Sequence, residues 1–84
     1  MGANRRTASA MPSPPPSLRK RSVLLSGHAT SLALEAEFWA VLDEMARARG
    51  LSLAALVGEI DRARAGRPLA SACRLAALAS ARNT

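Results

Sequence analysis

The side chains capable of catalysis or metal binding are few and scattered. His28 and Cys73 are the single histidine and single cysteine among the 84 residues. His28 has no partner at metal-ligand spacing, and Cys73 has no neighbouring histidine to activate its thiol. The serines match no nucleophile-elbow pattern, and no glycine cluster resembles a phosphate-binding loop. The sequence therefore predicts no enzyme, no cofactor and no metal, with His28 in a turn and Cys73 buried in a helix.

The basic residues are more informative about function than the few candidate catalytic or metal-binding side chains. Lys and Arg number 12 against 6 Asp and Glu, a formal net charge of +6. Residues 1–34 hold five basic groups and no acid, residues 62–84 hold five arginines and no acid, and residues 35–61 hold all six acids. A basic balance indicates nucleic acid or another anionic surface as partner. The flanks carry this attraction, and the cluster Arg19, Lys20 and Arg21 is the candidate for phosphate contacts.

Chain length and composition limit the organisation. An 84-residue chain has room for one small domain, which is marginally stable alone, and a single cysteine provides no internal disulfide. Residues 1–20 are predicted to be a disordered, basic, proline-rich arm, residues 21–81 a folded domain and residues 82–84 a tail. No stretch approaches the length of an apolar membrane span. We therefore expect a cytoplasmic protein that oligomerises and has no membrane partner.

The hydrophobic pattern predicts one short strand followed by three helices. Residues 29–34 alternate as a half-buried strand, whereas residues 22–26 fit either a short strand or an extended lead-in. Helices are predicted at 36–49, 53–64 and 69–81, with Gly50 ending the first and Ser52 capping the second. Their apolar stripes are Phe38, Leu42 and Met45 in the first; Leu53, Leu56, Val57 and Ile60 in the second; and Ala72, Leu75, Leu78 and Ala79 in the third.

Trp39 follows Phe38 directly, so the two rings point about 100° apart around the helix. Packing at a dimer interface or beneath the third helix is one interpretation, and a hot spot for a partner protein is the other.

The order of these elements resembles the ribbon-helix-helix superfamily of DNA-binding repressors and antitoxins. The similarity is carried by Ser31 to Trp39, by Leu42, Met45 and Ala46, and by Gly50 to Leu53 with Leu56, Val57 and Ile60. The string GHATSLALEAEFW and the third helix are similar to a subgroup of small bacterial single-domain members. The resemblance implies a mostly α homodimer, in which one short strand from each chain forms an antiparallel β-ribbon, plus a third C-terminal helix.

The same resemblance implies roles for individual residues. The shared dimer core would contain Leu32, Leu34, Phe38, Leu42, Leu56 and Ile60. The outward side chains of the ribbon, which would enter the major groove of double-stranded DNA, are Ala29, Ser31 and Ala33. The start of the second helix, at Ser52 and Leu53, would give backbone amides to a phosphate.

The outward ribbon positions depart from what base recognition needs. Two alanines offer only methyl contacts, and Glu35 at the end of the strand would repel phosphate. Two hypotheses follow. The first is a homodimeric DNA-binding protein, a small transcriptional regulator that uses ribbon and basic arm. The alternative is a protein-interaction or antitoxin-like dimer with reduced DNA binding and a protein partner.

Overall fold

The computed structural model describes residues 18–83, which form a β-hairpin followed by three helices. Strand β1 (Leu18–Leu25) pairs antiparallel with strand β2 (His28–Glu35) in one two-stranded sheet. Helix α1 (Ala36–Arg49), helix α2 (Leu53–Ala63) and helix α3 (Leu69–Arg82) follow. The bounds of the three helices were predicted from the sequence to within one residue, and the Gly50 and Ser52 caps were predicted as well.

The sequence predicted one strand and left a second one open at residues 22–26, and the second strand is present. Residues 18–25 form a second strand of eight residues, joined to β2 by the two-residue turn Ser26–Gly27. Both turn residues have positive φ, 50° for Ser26 and 82° for Gly27, which matches the twist of an antiparallel hairpin. The two-stranded ribbon is therefore completed within one chain, and β2 does not need a strand of a second chain as its partner. Dimerisation itself stays a prediction.

The predicted boundary of the arm also moves. Because β1 begins at Leu18, residues 18–20 belong to the hairpin and not to the N-terminal arm. Most of that arm, residues 1–17, lies outside the described residues.

One face of the hairpin packs on the helices to form the core. Val23, Leu32 and Leu34 are buried there against Trp39 and Leu42 of α1. The remaining buried members of the core cluster are Ala46 of α1, Leu56 and Val57 of α2, and Cys73 and Ala77 of α3. Of the core residues expected from the resemblance, Leu32, Leu34, Leu42 and Leu56 are buried within this chain, whereas Phe38 and Ile60 are only half-buried.

The predicted stripe of α3 was wrong in part. The helix buries its small residues Ala72, Cys73 and Ala77 against the core, whereas Leu75 and Leu78 stay 45% and 48% exposed. In an Ala/Leu-rich sequence both faces of the helix are apolar, so hydropathy alone does not identify the buried one.

Local sequence explains where the helices start and stop. Gly50 ends α1 in the left-handed conformation, at φ 68°, and its backbone amide donates to the carbonyls of Ala46 and Arg47. Ser52 begins α2, because its Oγ accepts a hydrogen bond from the amide of Ala55 at 3.0 Å. The short connection folds α2 back beside α1 and presents its first turn near the hairpin.

Candidate nucleic-acid interface

The hairpin leaves one face open to solvent. We call it the ribbon face, and it consists of Leu18, Lys20, Ser22 and Leu24 of β1 with Ala29, Ser31, Ala33 and Glu35 of β2. Residues directly opposite each other in an antiparallel pair lie on the same side of the sheet, and here the opposite pairs are Leu18–Glu35, Lys20–Ala33, Ser22–Ser31 and Leu24–Ala29. All are exposed except the half-buried Ala33 and Glu35. The three predicted ribbon positions therefore do share the outward face.

Strand β1 contributes three ribbon-face residues that the sequence interpretation missed. Lys20 adds a cation, Ser22 adds a second hydroxyl beside Ser31, and Leu24 adds an apolar side chain that is 62% exposed. The signal that would have found them is the Ser26–Gly27 turn, which sits between two segments of equal length. Together these side chains give the face the hydrogen-bonding groups that Ala29 and Ala33 lack.

The basic cluster predicted to contact phosphate is divided between the two faces. Lys20 lies on the ribbon face, whereas Arg19 and Arg21 occupy the alternate positions on the helix side of β1. The guanidinium of Arg21 lies 4.6 Å from the centre of the Trp39 ring and forms an ion pair with Asp43 at 3.2 Å. Arg21 therefore fastens the hairpin to α1, and the structure does not bring the three cations together.

Trp39 is buried in the core of this chain, between α1 and β1. Its side chain is 3% exposed, and its Nε1 donates to the backbone carbonyl of Arg19 at 2.7 Å. The ring is thus a packing element of the hairpin. It is therefore not on an exposed surface for a partner protein, one of the positions considered from the sequence.

Glu35, at the end of β2, is held by an ion pair. Arg74 of α3 donates from its Nε to Oε1 of Glu35 at 2.9 Å. The hydrogen bond from Arg74, helped by a bond to the backbone amide of Glu35 itself, lowers the pKa of this carboxyl below its ordinary value of 4.5. The carboxylate is therefore charged at neutral pH but compensated, which reduces the repulsion of phosphate expected from the sequence.

A cleft of about 260 Å³ connects the turn end of the hairpin with the first half of α2. Leu24, Leu25 and Ser26 line one side, and Ala54 and Ala55 line the other. The first helical amides, those of Leu53 and Ala54, have no acceptor among the described residues, as is usual for a helix start. Ser52 and Leu53, the residues predicted to contact phosphate, directly precede Ala54 and Ala55 of this lining.

The two acids at this cleft are compensated by arginines. Glu59 pairs with Arg49 at 2.7 Å, and Asp61 pairs with Arg64 at 2.7 Å. The hydrogen bond from Arg49 lowers the pKa of Glu59. Arg62 also lines this cleft. It forms no ion pair in the described part of the chain, since both acids are paired with other arginines.

Other chemistry finds no support in residues 18–83. No group of three His, Cys, Asp or Glu side chains is placed to hold a metal ion in that range. Cys73 is fully buried, and burial raises the pKa of its thiol. His28 is exposed at the start of β2, directly after the turn. None of the three helices in residues 18–83 has the length and hydropathy needed to cross a membrane.

A family model described as a ribbon-helix-helix domain matches residues 18–81. The chain belongs to this family, and the match begins at the first residue of β1, so that it includes the whole hairpin. Proteins of the family are usually DNA-binding regulators and typically dimerise. Neither the curated proteins nor the solved structures contain a match to this chain.

Proposed function

We propose that the protein is a homodimeric, cytoplasmic DNA-binding protein, a small transcriptional regulator that inserts its hairpin into the major groove. The observation that carries the proposal is the ribbon face, an exposed two-stranded surface with one cation, two hydroxyls and no uncompensated carboxylate. The major groove of double-stranded DNA admits a two-stranded β-ribbon. The ribbon-helix-helix family match supports the same partner.

The proposed contacts to bases follow from side-chain chemistry. Lys20 would donate to the O6 and N7 acceptors of guanine, and the Ser22–Ser31 pair would adapt to either donors or acceptors. Leu24 and Ala29, which lie opposite each other, would pack against thymine methyl groups. Ala33 gives no polar contact, so specificity would be concentrated in β1 and in Ser31.

The proposed contacts to phosphate surround the ribbon. The amides at Ser52 and Leu53 would bind one phosphate at the start of α2, next to the turn end of the hairpin. Arg62 of the same cleft and the exposed Arg19 would add long-range attraction. Arg21 is assigned a structural role instead, since it is already bound to Asp43 and Trp39.

The test is a fluorescence-anisotropy titration with duplex DNA, first with a random pool and then with duplexes selected from it by the protein. We expect binding that weakens steeply with salt, and enrichment of a motif with G and T at the contacted steps. Lys20→Ala should weaken binding, whereas Arg47→Ala, which removes an equal charge from an exposed position on α1, should not. Absence of salt-sensitive binding by the wild-type chain would refute the proposal.

A second candidate is a protein-interaction or antitoxin-like dimer with reduced DNA binding. It is favoured by the two alanines of β2 on the ribbon face and by the exposed leucines of α3. Affinity purification with the tagged full chain separates the two: one stoichiometric protein with no retained DNA supports this candidate, and retained DNA alone supports the first.

A further inference from the structure

We infer that Arg74 of α3 is a phosphate-binding residue of the DNA interface, at the open end of the hairpin. The inference rests on the proposed DNA binding and adds to it a contact from the third helix. The ligand is a phosphate of the DNA backbone, and the donors are the two Nη groups of the Arg74 guanidinium. The carboxylate of Glu35 holds this guanidinium in place.

The first support is the position of the guanidinium beside the ribbon face. Glu35 is the last residue of β2 and lies opposite Leu18, so it ends the ribbon face at the open end of the hairpin. The Nε of Arg74 donates to Oε1 of Glu35 at 2.9 Å. A duplex that covers the ribbon face as far as its open end therefore meets Arg74 as well. The cleft beside α2 opens at the other end of the hairpin, next to Leu25 and Ser26.

The second support is that this guanidinium has donors left for an anion. An arginine carries five N–H donors in a planar fork. Within residues 18–83, the Nε of Arg74 donates to Glu35, whereas neither Nη has a hydrogen-bond or ion-pair partner. The side chain of Arg74 is 33% exposed. The same fork can therefore keep its Nε on the carboxylate and present its Nη edge to a phosphate.

The third support is that the guanidinium is held by two groups. Besides the Glu35 carboxylate, the half-buried ring of Phe38 contacts it, with the ring centre 5.8 Å from the guanidinium carbon of Arg74. An arginine that is already held loses less side-chain entropy when it binds a phosphate than a free one does. Arg82, on the same helix, is exposed and forms no ion pair in the described range, so it lacks this preparation.

The charges at the open end of the hairpin leave room for an anion. Arg19 and Lys20 are exposed at the start of β1, opposite the two residues that precede Glu35, and form no ion pair within residues 18–83. Glu37, in the first turn of α1, is the second acid near this end. Three cations thus stand against two acids, and the balance stays positive.

The experiment measures the affinity of the full chain for duplex DNA by fluorescence anisotropy at several salt concentrations. Arg74→Ala should weaken binding about tenfold, because a hydrogen bond between charged groups is lost. The slope of log affinity against log salt should fall by about 0.9, the value for one neutralised phosphate. Arg82→Ala is the matched control, since it removes the same charge from the same helix, and should leave affinity and slope nearly unchanged.

A second variant guards against a loss of folding. Arg74→Gln keeps an amide donor for Glu35 but has no charge, and it should lower the salt slope as Arg74→Ala does. Urea denaturation of both variants establishes that folded chains are compared. An ion pair with a purely structural role would change the urea midpoint and leave the salt slope as it is.

A further comparison separates a phosphate contact from simple neutralisation of Glu35. In a Glu35→Gln background the carboxylate that Arg74 neutralises is gone, and Arg74→Ala should still weaken DNA binding about tenfold. Equal affinities of Glu35→Gln and the double variant would overturn the inference, and so would an equal fall in slope for Arg82→Ala. Normal DNA binding by Arg74→Ala refutes this site alone. A wild-type chain without salt-sensitive DNA binding refutes the proposed function together with this site.

Discussion

The indole nitrogen of Trp39 donates a hydrogen bond of 2.7 Å to the backbone carbonyl of Arg19, which joins the first helix to the first strand. The guanidinium of Arg21 covers the same ring from the strand side. This contact holds the N-terminal strand on the helices and directs Arg19 and Arg21 away from the ribbon face. Lys20, between them, is consequently the one cation that β1 presents on that face.

Replacing Trp39 with phenylalanine should therefore destabilise the fold. The change removes the hydrogen bond to Arg19 and part of a buried ring, and the expected loss is about 1–3 kcal/mol in the free energy of unfolding. Urea denaturation followed by circular dichroism measures it. Phe38→Leu, at the half-buried neighbouring position, serves as the control and should cost less. An unchanged midpoint for Trp39→Phe would show that the hairpin is not held by this residue.

The turn of the hairpin gives a second prediction. Gly27 has φ 82°, and a Cβ at this position would meet no atom within 4 Å, so a substitution would strain only the backbone. Gly27→Ala should lower stability by about 1–2 kcal/mol. Ser26→Asn should raise it, because asparagine tolerates the positive φ better than serine does. The melting temperatures of the two variants test both predictions. Equal stability of Gly27→Ala and Ser26→Asn would contradict a hairpin with this turn.

Sequence patterns located the helices and half of the hairpin. Local signals suffice for α1 and α2, because Gly50 and Ser52 mark their ends whatever the tertiary structure is. The alternation of β2 was equally clear, with Leu32 and Leu34 on the buried side. The burial of Leu32 and Leu34 follows from the local alternation of apolar and polar residues, which can be recognised in a single sequence.

Strand β1 and the outward side of α3 depend on tertiary contacts, and the sequence left the strand open at residues 22–26 and did not predict its full length. In β1 two of the four positions on the helix side are arginines, so the strand shows no alternation of apolar and polar residues. Arg21 is accommodated on the helix side because its guanidinium lies over the Trp39 ring and forms an ion pair with Asp43. In α3 both faces of the helix are apolar, so periodicity does not reveal that the alanines are buried and the leucines exposed. The ribbon face was incomplete for the same reason, since Lys20, Ser22 and Leu24 all come from β1.

Lys20 and Arg21 should differ sharply when each is replaced with alanine. Lys20→Ala should leave stability almost unchanged but weaken DNA binding, because it removes the proposed donor to guanine O6 and N7. Arg21→Ala should lower stability, because it removes the contact with Trp39 and the ion pair with Asp43. Anisotropy at several salt concentrations and urea denaturation together give both quantities. Equal effects of the two variants on DNA binding would contradict the placement of Lys20 on the ribbon face and Arg21 on the helix side.

The Glu35–Arg74 pair predicts how stability depends on pH. Because the folded pKa of Glu35 is below its ordinary value of 4.5, this pair stabilises the fold above that pH, and the stabilisation is lost as the pH falls through the folded pKa. Glu35→Gln removes the titrating group, so its stability should fall less than that of the wild type between neutral pH and pH values below 4.5. Glu59→Gln should behave likewise, since the pKa of Glu59 is lowered by Arg49. Urea midpoints across the acid range measure the difference, and parallel curves for wild type and Glu35→Gln would contradict the lowered pKa.

Ser52 separates helix capping from phosphate binding. Ser52→Ala removes the acceptor for the amide of Ala55 and should cost about 1 kcal/mol of stability. Asparagine and aspartate are both good caps, so Ser52→Asn and Ser52→Asp should be about as stable as the wild type. They differ in charge, however, and a carboxylate at the start of α2 would repel the proposed phosphate. Ser52→Asp should therefore weaken DNA binding while its matched control Ser52→Asn does not, and similar DNA affinities for the two stable variants would exclude a phosphate from this end of α2.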